Sequence, residues 1–197
     1  MIELQPHMLE GIPQNGPTDP IEYYKRPLIG RLFRERINRG LRMLPEKRYA
    51  RVLEVGYGAG AVQLALAPNV DELHGIDLDA EPASVTQLLA SRGVRSQLQQ
   101  GSVYDLPYES GYFDLVVTFS VFEHLHEYPR ALTEIYRVLT PGGLFLLGMP
   151  SVNKLMEAGF HRVRQSFLDF PPRSPLHVRL YHTWLLEKPL GRLTPAP

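Results

Sequence analysis

Three groups of residues in this chain are of types that could do chemistry. The first follows a run of β-formers. In RVLEVGYGAG, Glu54 is followed by glycines at 56, 58 and 60. A backbone without Cβ atoms lets a flat or charged ligand approach closely. The free N–H groups of a helix that starts there would favour an anionic partner. A tight strand-to-helix turn also needs glycine for its own sake. The second is Asp77, which ends HGID 21 residues after Gly56. A carboxylate at the end of a second parallel strand can accept both hydroxyls of a ribose. It can equally cap the helix that follows, and the two roles are compatible. The third is SVFEHLHE, where Glu123, His124 and His126 concentrate the acid–base groups of the chain. His124 could take a proton from a hydroxyl or amine, or hold the loop by a structural hydrogen bond.

These residues need a scaffold, and the pattern supplies one. Residues 1–20 carry four prolines and two glycines and read as an irregular arm, mobile unless it docks. Apolar residues at spacings of three and four predict a helix over 21–44, with Pro27 in its first turn and Pro45 at its stop. Strands are expected at 51–55, 72–77, 96–99, 113–119 and 144–149, the last after the turn Pro141-Gly142-Gly143. Helices are expected at 59–66, 83–91 and 129–139. Such alternation implies an α/β, Rossmann-like, doubly wound parallel sheet with right-handed crossovers. Beyond it, a short helix over 152–158 and two strands, 161–170 and 177–188, read as an antiparallel edge hairpin. The chain is expected to be one domain, 1–197. It divides into the arm and basic amphipathic helix (1–45, able to serve as a lid), a ligand-binding core (50–150) and the short helix with its hairpin (151–197).

Composition narrows the chemistry. The 197 residues are 44% hydrophobic and 21% charged, an ordinary globular balance. No cysteine is present, which removes disulfides, cysteine-based zinc sites and a cysteine nucleophile, and suits the cytoplasm. The start of the chain lacks the basic and apolar regions of a signal peptide, and no apolar run is long enough to span a membrane. Basic and acidic residues balance at 21 each, which argues against nucleic acid as the main partner. The balance is local only in part: seven basic residues lie between Lys25 and Arg42, opposed there by Glu35 alone.

The glycine turn and Asp77 together suggest an adenosine-type ligand, either a dinucleotide or S-adenosylmethionine. Glu54, two residues before Gly56, would oppose a pyrophosphate and suit a cationic ligand. LEVGYGAG, HGIDLD, GSVYDLPYESGYFDLVVTFSVFEHL and RVLTPGGLFLLGMP, in that order, resemble the class I S-adenosylmethionine-dependent methyltransferases of the small-molecule type, which include ubiquinone-biosynthesis enzymes. The resemblance covers about residues 50–150. It implies a seven-stranded sheet with a reversed last strand, S-adenosylmethionine as cofactor and S-adenosylhomocysteine as product.

The resemblance also implies roles by position. Gly56, Gly58 and Gly60 would pass under the methionine part of the cofactor. Glu54 would hold its ammonium group, Asp77 its ribose and Leu78 one face of its adenine. Ser102 stands where the family usually has Asp and would accept from the adenine amino group, with the Val103 N–H at the ring edge. Ser120 would offer its carbonyl to the ammonium. Relatives with E-x-x-E-H bind a divalent metal there; Ser120 replaces the first Glu, so no metal is expected. Tyr23 and Tyr24 would close over the site, or pack as ordinary core.

The acceptor reads as a small molecule or lipid. The cationic face of Arg31, Arg34, Arg39 and Arg42 could support peripheral membrane contact, and a second subunit could complete the pocket as a homodimer. Two alternatives stand beside methyl transfer: a cofactor-binding partner subunit that no longer catalyses, and a nicotinamide-dependent dehydrogenase.

Overall fold

The computed structural model describes residues 1–17 and 19–149 and the strand 183–187. Two short helices come first, α1 (Ile21–Lys25) and α2 (Pro27–Leu41). They are followed by β1 (Tyr49–Val55), α3 (Ala61–Leu66), β2 (Val70–Asp77), α4 (Pro82–Ser91) and β3 (Gln97–Gln100). Then come β4 (Phe113–Phe119), α5 (Tyr128–Val138), β5 (Leu139–Gly148) and β6 (Thr183–Glu187). The sheet order is β3-β2-β1-β4-β5-β6, the first five strands parallel. Strand order reverses between β1 and β4, and the crevice beyond the carboxyl ends of these strands is where such a sheet takes ligands.

Side chains alternate between two cores, one on each face. Leu115, Val117, Leu144 and Leu146 join the core under α2, α3 and α4. Leu53, Val116, Phe145 and Leu147 join the core under α5. Both faces are covered, which is why β4 is apolar almost throughout.

Among the described residues the sheet has six strands: five are parallel, and β6 pairs antiparallel with β5 at the edge. The first arm of the expected hairpin and the expected helix at 152–158 lie outside the described residues. Two expectations need correction. The helix expected over 21–44 is two helices, because Arg26, preceding Pro27, is pushed to an extended conformation (ψ 139°). The Pro141-Gly142-Gly143 turn lies within β5, where the register with β4 jumps: Phe113 pairs with Leu139, but Leu115 with Leu144. Finally, the arm is docked. Ile2, Leu4, Leu9 and Ile12 are buried in the core, Leu4 exchanges two hydrogen bonds with Asn38, and Arg92 donates to the carbonyls of Met8 and Glu10.

Candidate active site

A cavity of about 670 Å³ opens at the carboxyl ends of β1, β2 and β4. The sheet order makes this junction, and the turns that leave the three strands line it.

The turn after β1 carries the glycines. Gly56 has φ +82°, and a Cβ there would run into the Cγ2 methyl of Val121. The left-handed backbone and the close approach both call for glycine. Gly58 donates its N–H to Asp77 Oδ2 at 2.9 Å. Gly60 caps α3 from outside the cavity lining, and a Cβ there would lie 2.8 Å from Val85 Cγ1. Gly60 is thus a packing residue between turn and α4, whereas Gly56 and Gly58 face the cavity.

Asp77 ends β2 and lines the cavity. Its second oxygen, Oδ1, accepts from the N–H groups of Asp79 at 2.9 Å and Ala80 at 3.0 Å. One carboxylate therefore ties the glycine turn to the start of the next connection. The helix that follows is capped by Glu81 instead, through the N–H groups of Ala83 and Ser84. Leu78 also lines the cavity and is exposed.

Glu54 is 2% exposed and lines the cavity from β1. Its Oε2 accepts from Gln63 Nε2 at 2.7 Å. Burial raises the carboxyl to about 8, with Gln63 acting to lower it and the Asp77 charge to raise it. A cationic group beside it would return it to the ionised form.

Beyond β4, Ser120 has φ +58°, the only positive φ outside glycine among the described residues. Its N–H donates to the Gly148 carbonyl at 2.9 Å. Its Oγ accepts from the guanidinium of Arg36. Glu123 and His124 line the cavity as well, His124 exposed with its N–H held by the Val121 carbonyl at 2.9 Å. Burial raises the Glu123 carboxyl, and its Oε2 has no hydrogen-bond partner.

Tyr23 and Tyr24 come from α1 and reach the cavity. Tyr24 is buried, and burial raises its hydroxyl to about 12 against the pull of Arg36. Tyr23 is half-exposed at 49%. Ser102 and Val103 stand outside the cavity lining. Ser102 Oγ accepts from the Tyr104 N–H at 3.2 Å, and the Val103 side chain is buried in the core under α5.

Three cavity residues escaped the sequence reading. Asn15 bridges two elements from the arm, donating to the Gly58 carbonyl at 3.3 Å and the Glu81 carbonyl at 3.1 Å while accepting from the Glu81 N–H at 3.0 Å. Asp19 accepts from the N–H groups of Asn15 and Ile21, and its carboxyl is raised, chiefly by burial. No periodic signal marks either. Arg36 did carry a signal: it sits three residues after Phe33 and one before the buried Ile37, on the apolar side of α2. Two of the four arginines of the cationic face form ion pairs among the described residues. Arg42 pairs with Glu3 and Glu35, Arg39 pairs with Glu35, and Arg34 donates to the Tyr24 carbonyl.

Residues 53–147 match the model of a methyltransferase domain family. An uncharacterised methyltransferase, YcgJ, of Bacillus subtilis is 36% identical over 99 residues, 49% of this chain and 39% of that protein. Ajmaline N-methyltransferase of Rauvolfia serpentina is 33% identical over 107 residues, 52% of this chain and 37% of that protein. The chain therefore spans well under half the length of these relatives. A crystal structure from Methanococcus maripaludis superposes with a TM-score of 0.64 at 19% identity, covering 78% of this chain and 84% of that one, a likeness of fold.

Proposed function

We propose that this chain is a class I S-adenosylmethionine-dependent methyltransferase that transfers a methyl group from S-adenosylmethionine to a small-molecule acceptor, a reading the matched domain model and the named relatives support. The observation that carries it is the meeting, in one cavity, of a glycine turn, the Asp77 carboxylate and the buried Glu54.

The residues fit the cofactor. Asp77 uses its two oxygens on three N–H groups and keeps one lone-pair site, on Oδ2, for a ribose hydroxyl. Glu54, protonated in the free protein up to about pH 8, is poised to ionise against an ammonium group. Leu78 offers an apolar surface for adenine, and Gly56 gives room at the turn. The adenine contacts from Ser102 and Val103 are part of the same proposal and need closure of their loop toward the cavity. When bound, S-adenosylmethionine supplies a sulfonium-activated methyl carbon. The chain's own work is then to hold the acceptor in line, exclude water and receive the acceptor's proton, a task we assign to His124 at the cavity mouth. Tyr24, and Tyr23 above it, screen the site from solvent.

The named relative acting on ajmaline supports a small, nitrogen-containing class of acceptor. A lipid acceptor would draw on the exposed Leu28, Leu32 and Arg31 of α2, and vesicle co-sedimentation tests it. The seven-stranded sheet with its edge hairpin, homodimerisation and a cytoplasmic site of action are kept as parts of this reading. A nicotinamide dinucleotide would place a pyrophosphate at the turn and bring no ammonium group to ionise the buried Glu54.

Calorimetric titration with S-adenosylmethionine, S-adenosylhomocysteine and NADH tests the reading, together with methyl transfer from labelled cofactor to an acceptor panel. Binding of both adenosyl compounds and not NADH is expected. Absence of binding by either adenosyl compound would sink it.

A further inference from the structure

The turn after β1 has a left-handed backbone at Gly56, Gly58 and Gly60. A stretch so rich in glycine has many conformations to lose, so bonds from outside must fix its place. Both polar groups of the Gly58 backbone are taken. Its N–H goes to Asp77 Oδ2 at 2.9 Å, and its carbonyl accepts from Asn15 Nδ2 at 3.3 Å. Asn15 belongs to the arm, 43 residues from Gly58 in sequence.

The same side chain grips the connection that leaves β2. Nδ2 donates to the Glu81 carbonyl at 3.1 Å, and Oδ1 accepts from the Glu81 N–H at 3.0 Å. The amide pairs with both backbone groups of Glu81 as a neighbouring strand would, and three of its four hydrogen-bonding sites are in use. The backbone of Asn15 is held in turn. Its N–H donates to Asp19 Oδ2 at 2.8 Å, and Asp19 Oδ1 accepts from the Ile21 N–H at 3.1 Å, at the start of α1. Asp19 also faces the N–H of Ala59 in the glycine turn. Its Oδ1 lies 3.1 Å from where a Cβ on Gly58 would stand, so the arm seats directly on the turn.

Two bridges therefore join the glycine turn to the connection after β2. Asp77 makes one from the end of its strand, to Gly58, Asp79 and Ala80. Asn15 makes the other from the arm, to Gly58 and Glu81. Under the methyltransferase reading above, the first bridge is also a ligand site. A ribose hydroxyl takes the remaining site on Asp77 Oδ2, the oxygen that holds Gly58, and a shared acceptor holds the turn less firmly. The Asn15 bridge has no such second task and keeps the two walls in register while Asp77 is shared.

We propose that Asn15 is a positioning residue for the nucleoside end of the cavity. It acts through Gly58 and Glu81, holding the glycine turn at a fixed separation from the connection after β2, so that a nucleoside binds best with the arm docked. The nature of the ligand rests on the methyltransferase reading.

Titration and amide exchange test this without turnover. Wild type, Asn15→Ala and Asn15→Asp are titrated with S-adenosylhomocysteine and with 5′-methylthioadenosine, which lacks the amino-acid end. Each protein is titrated well below its own melting temperature, so that lost stability alone leaves affinity unchanged. Asn15→Ala is expected to weaken both ligands by the same factor, about 5- to 50-fold, as for a coupling between two sites. Asn15→Asp keeps an acceptor for the Glu81 N–H but has no proton for the Gly58 carbonyl, and is expected to weaken both at least as much. In the ligand-free proteins, exchange of the Gly58 amide is expected to speed up in both variants, although that amide bonds Asp77 and not Asn15. A direct contact between Asn15 and the ligand would lower affinity and leave the Gly58 amide unmoved, which overturns the proposal. Unchanged affinity for both ligands, or a loss confined to S-adenosylhomocysteine, also overturns it. If Asn15→Ala does not fold, Asn15→Asp decides. If wild type binds neither ligand, the methyltransferase reading fails separately, and the Gly58 amide alone decides whether Asn15 holds the turn.

Discussion

Replacing Asp77 with Asn is the sharpest perturbation of the site, because the residue has a structural task that can be separated from any ligand. Its two oxygens take three backbone N–H groups: Gly58 on one side, Asp79 and Ala80 on the other. Asn has one acceptor oxygen, so its NH₂ group must face one of the two sides. Keeping the Asp79 and Ala80 bonds is the better choice, and Gly58 is then left without an acceptor. That bond is partly buried and charge-assisted, so its loss costs about 1.5–3 kcal/mol. The two retained bonds lose their charge assistance; the one to Asp79 is exposed, where water substitutes cheaply. Against this, Asn removes a charge that pushes up the carboxyls of Glu54 and Asp19. The net expectation is a destabilisation of about 2–4 kcal/mol, or a fall in melting temperature of roughly 4–16 °C for a chain of this size. Urea and thermal unfolding of the ligand-free variant measure it, before any titration. Unchanged midpoints would refute the argument, because the carboxylate would then not be holding the glycine turn. Any loss of affinity in an Asp77 variant would in that case report ribose contacts alone.

Three other outcomes follow from the same geometry. The folded chain keeps a proton on Glu54 up to about pH 8, whereas an unfolded glutamate releases it near 4.5, so the stability from this residue falls as pH rises between those values. Urea midpoints at pH 6 and 8 are expected to show that decline in wild type and its loss in Glu54→Gln. His74 has the opposite slope. Burial among Tyr108, Tyr112 and Phe113 lowers its pKa, against a small upward pull from Glu72, so the unfolded chain takes up a proton near 6.5 that the folded chain refuses. Stability therefore falls as pH drops below about 6.5, and His74→Phe is expected to flatten that acid limb, since the buried Nε2 makes no hydrogen bond and only approaches Glu72 Oε2 at 3.9 Å. Gly60→Ala combines a left-handed backbone (φ +81°) with a Cβ 2.8 Å from Val85 Cγ1 and costs about 2–4 kcal/mol. Gly60 lies outside the cavity lining, so S-adenosylhomocysteine affinity measured on folded protein is expected to hold.

Where a strand is buried on both faces, composition alone reveals it, and Phe113–Phe119 lies where FDLVVTF put it. That the first five strands run parallel followed from their alternation with helices; their order did not. The break at Arg26 was overlooked because Pro27 is compatible with a first turn; the constraint acts on the residue before it. The docked arm was illegible for another reason. Ile2, Leu4, Leu9 and Ile12 bury themselves without helical or strand periodicity, and their partners, such as Asn38 and Arg92, are distant in sequence. Glu54, Asp77, Gly56 and Gly58 line one cavity because each stands at or just beyond the carboxyl end of a neighbouring parallel strand, which the local pattern marks. Ser102 and Val103 came from the resemblance alone, and they lie on a loop outside the cavity lining whose direction no local pattern gives.

Arg36 shows how a site can be legible in type yet missed in role. Counted along the chain, it is one of seven basic residues between Lys25 and Arg42 and looks like surface charge. Placed on the helix, it shares a side with Phe33 and Ile37, where solvent is excluded. A solvated face tolerates charge at no cost, but a buried face must compensate it, so a single arginine on the wrong side of an amphipathic helix carries more information than four on the right side. The same logic extends to Glu54. Glu54 rests protonated, and Arg36 forms no ion pair among the described residues. A cation brought to Glu54 has first to displace its proton, so below about pH 8 that contact gains less than one to a carboxylate already ionised, and affinity for a cationic ligand is expected to rise with pH toward that value.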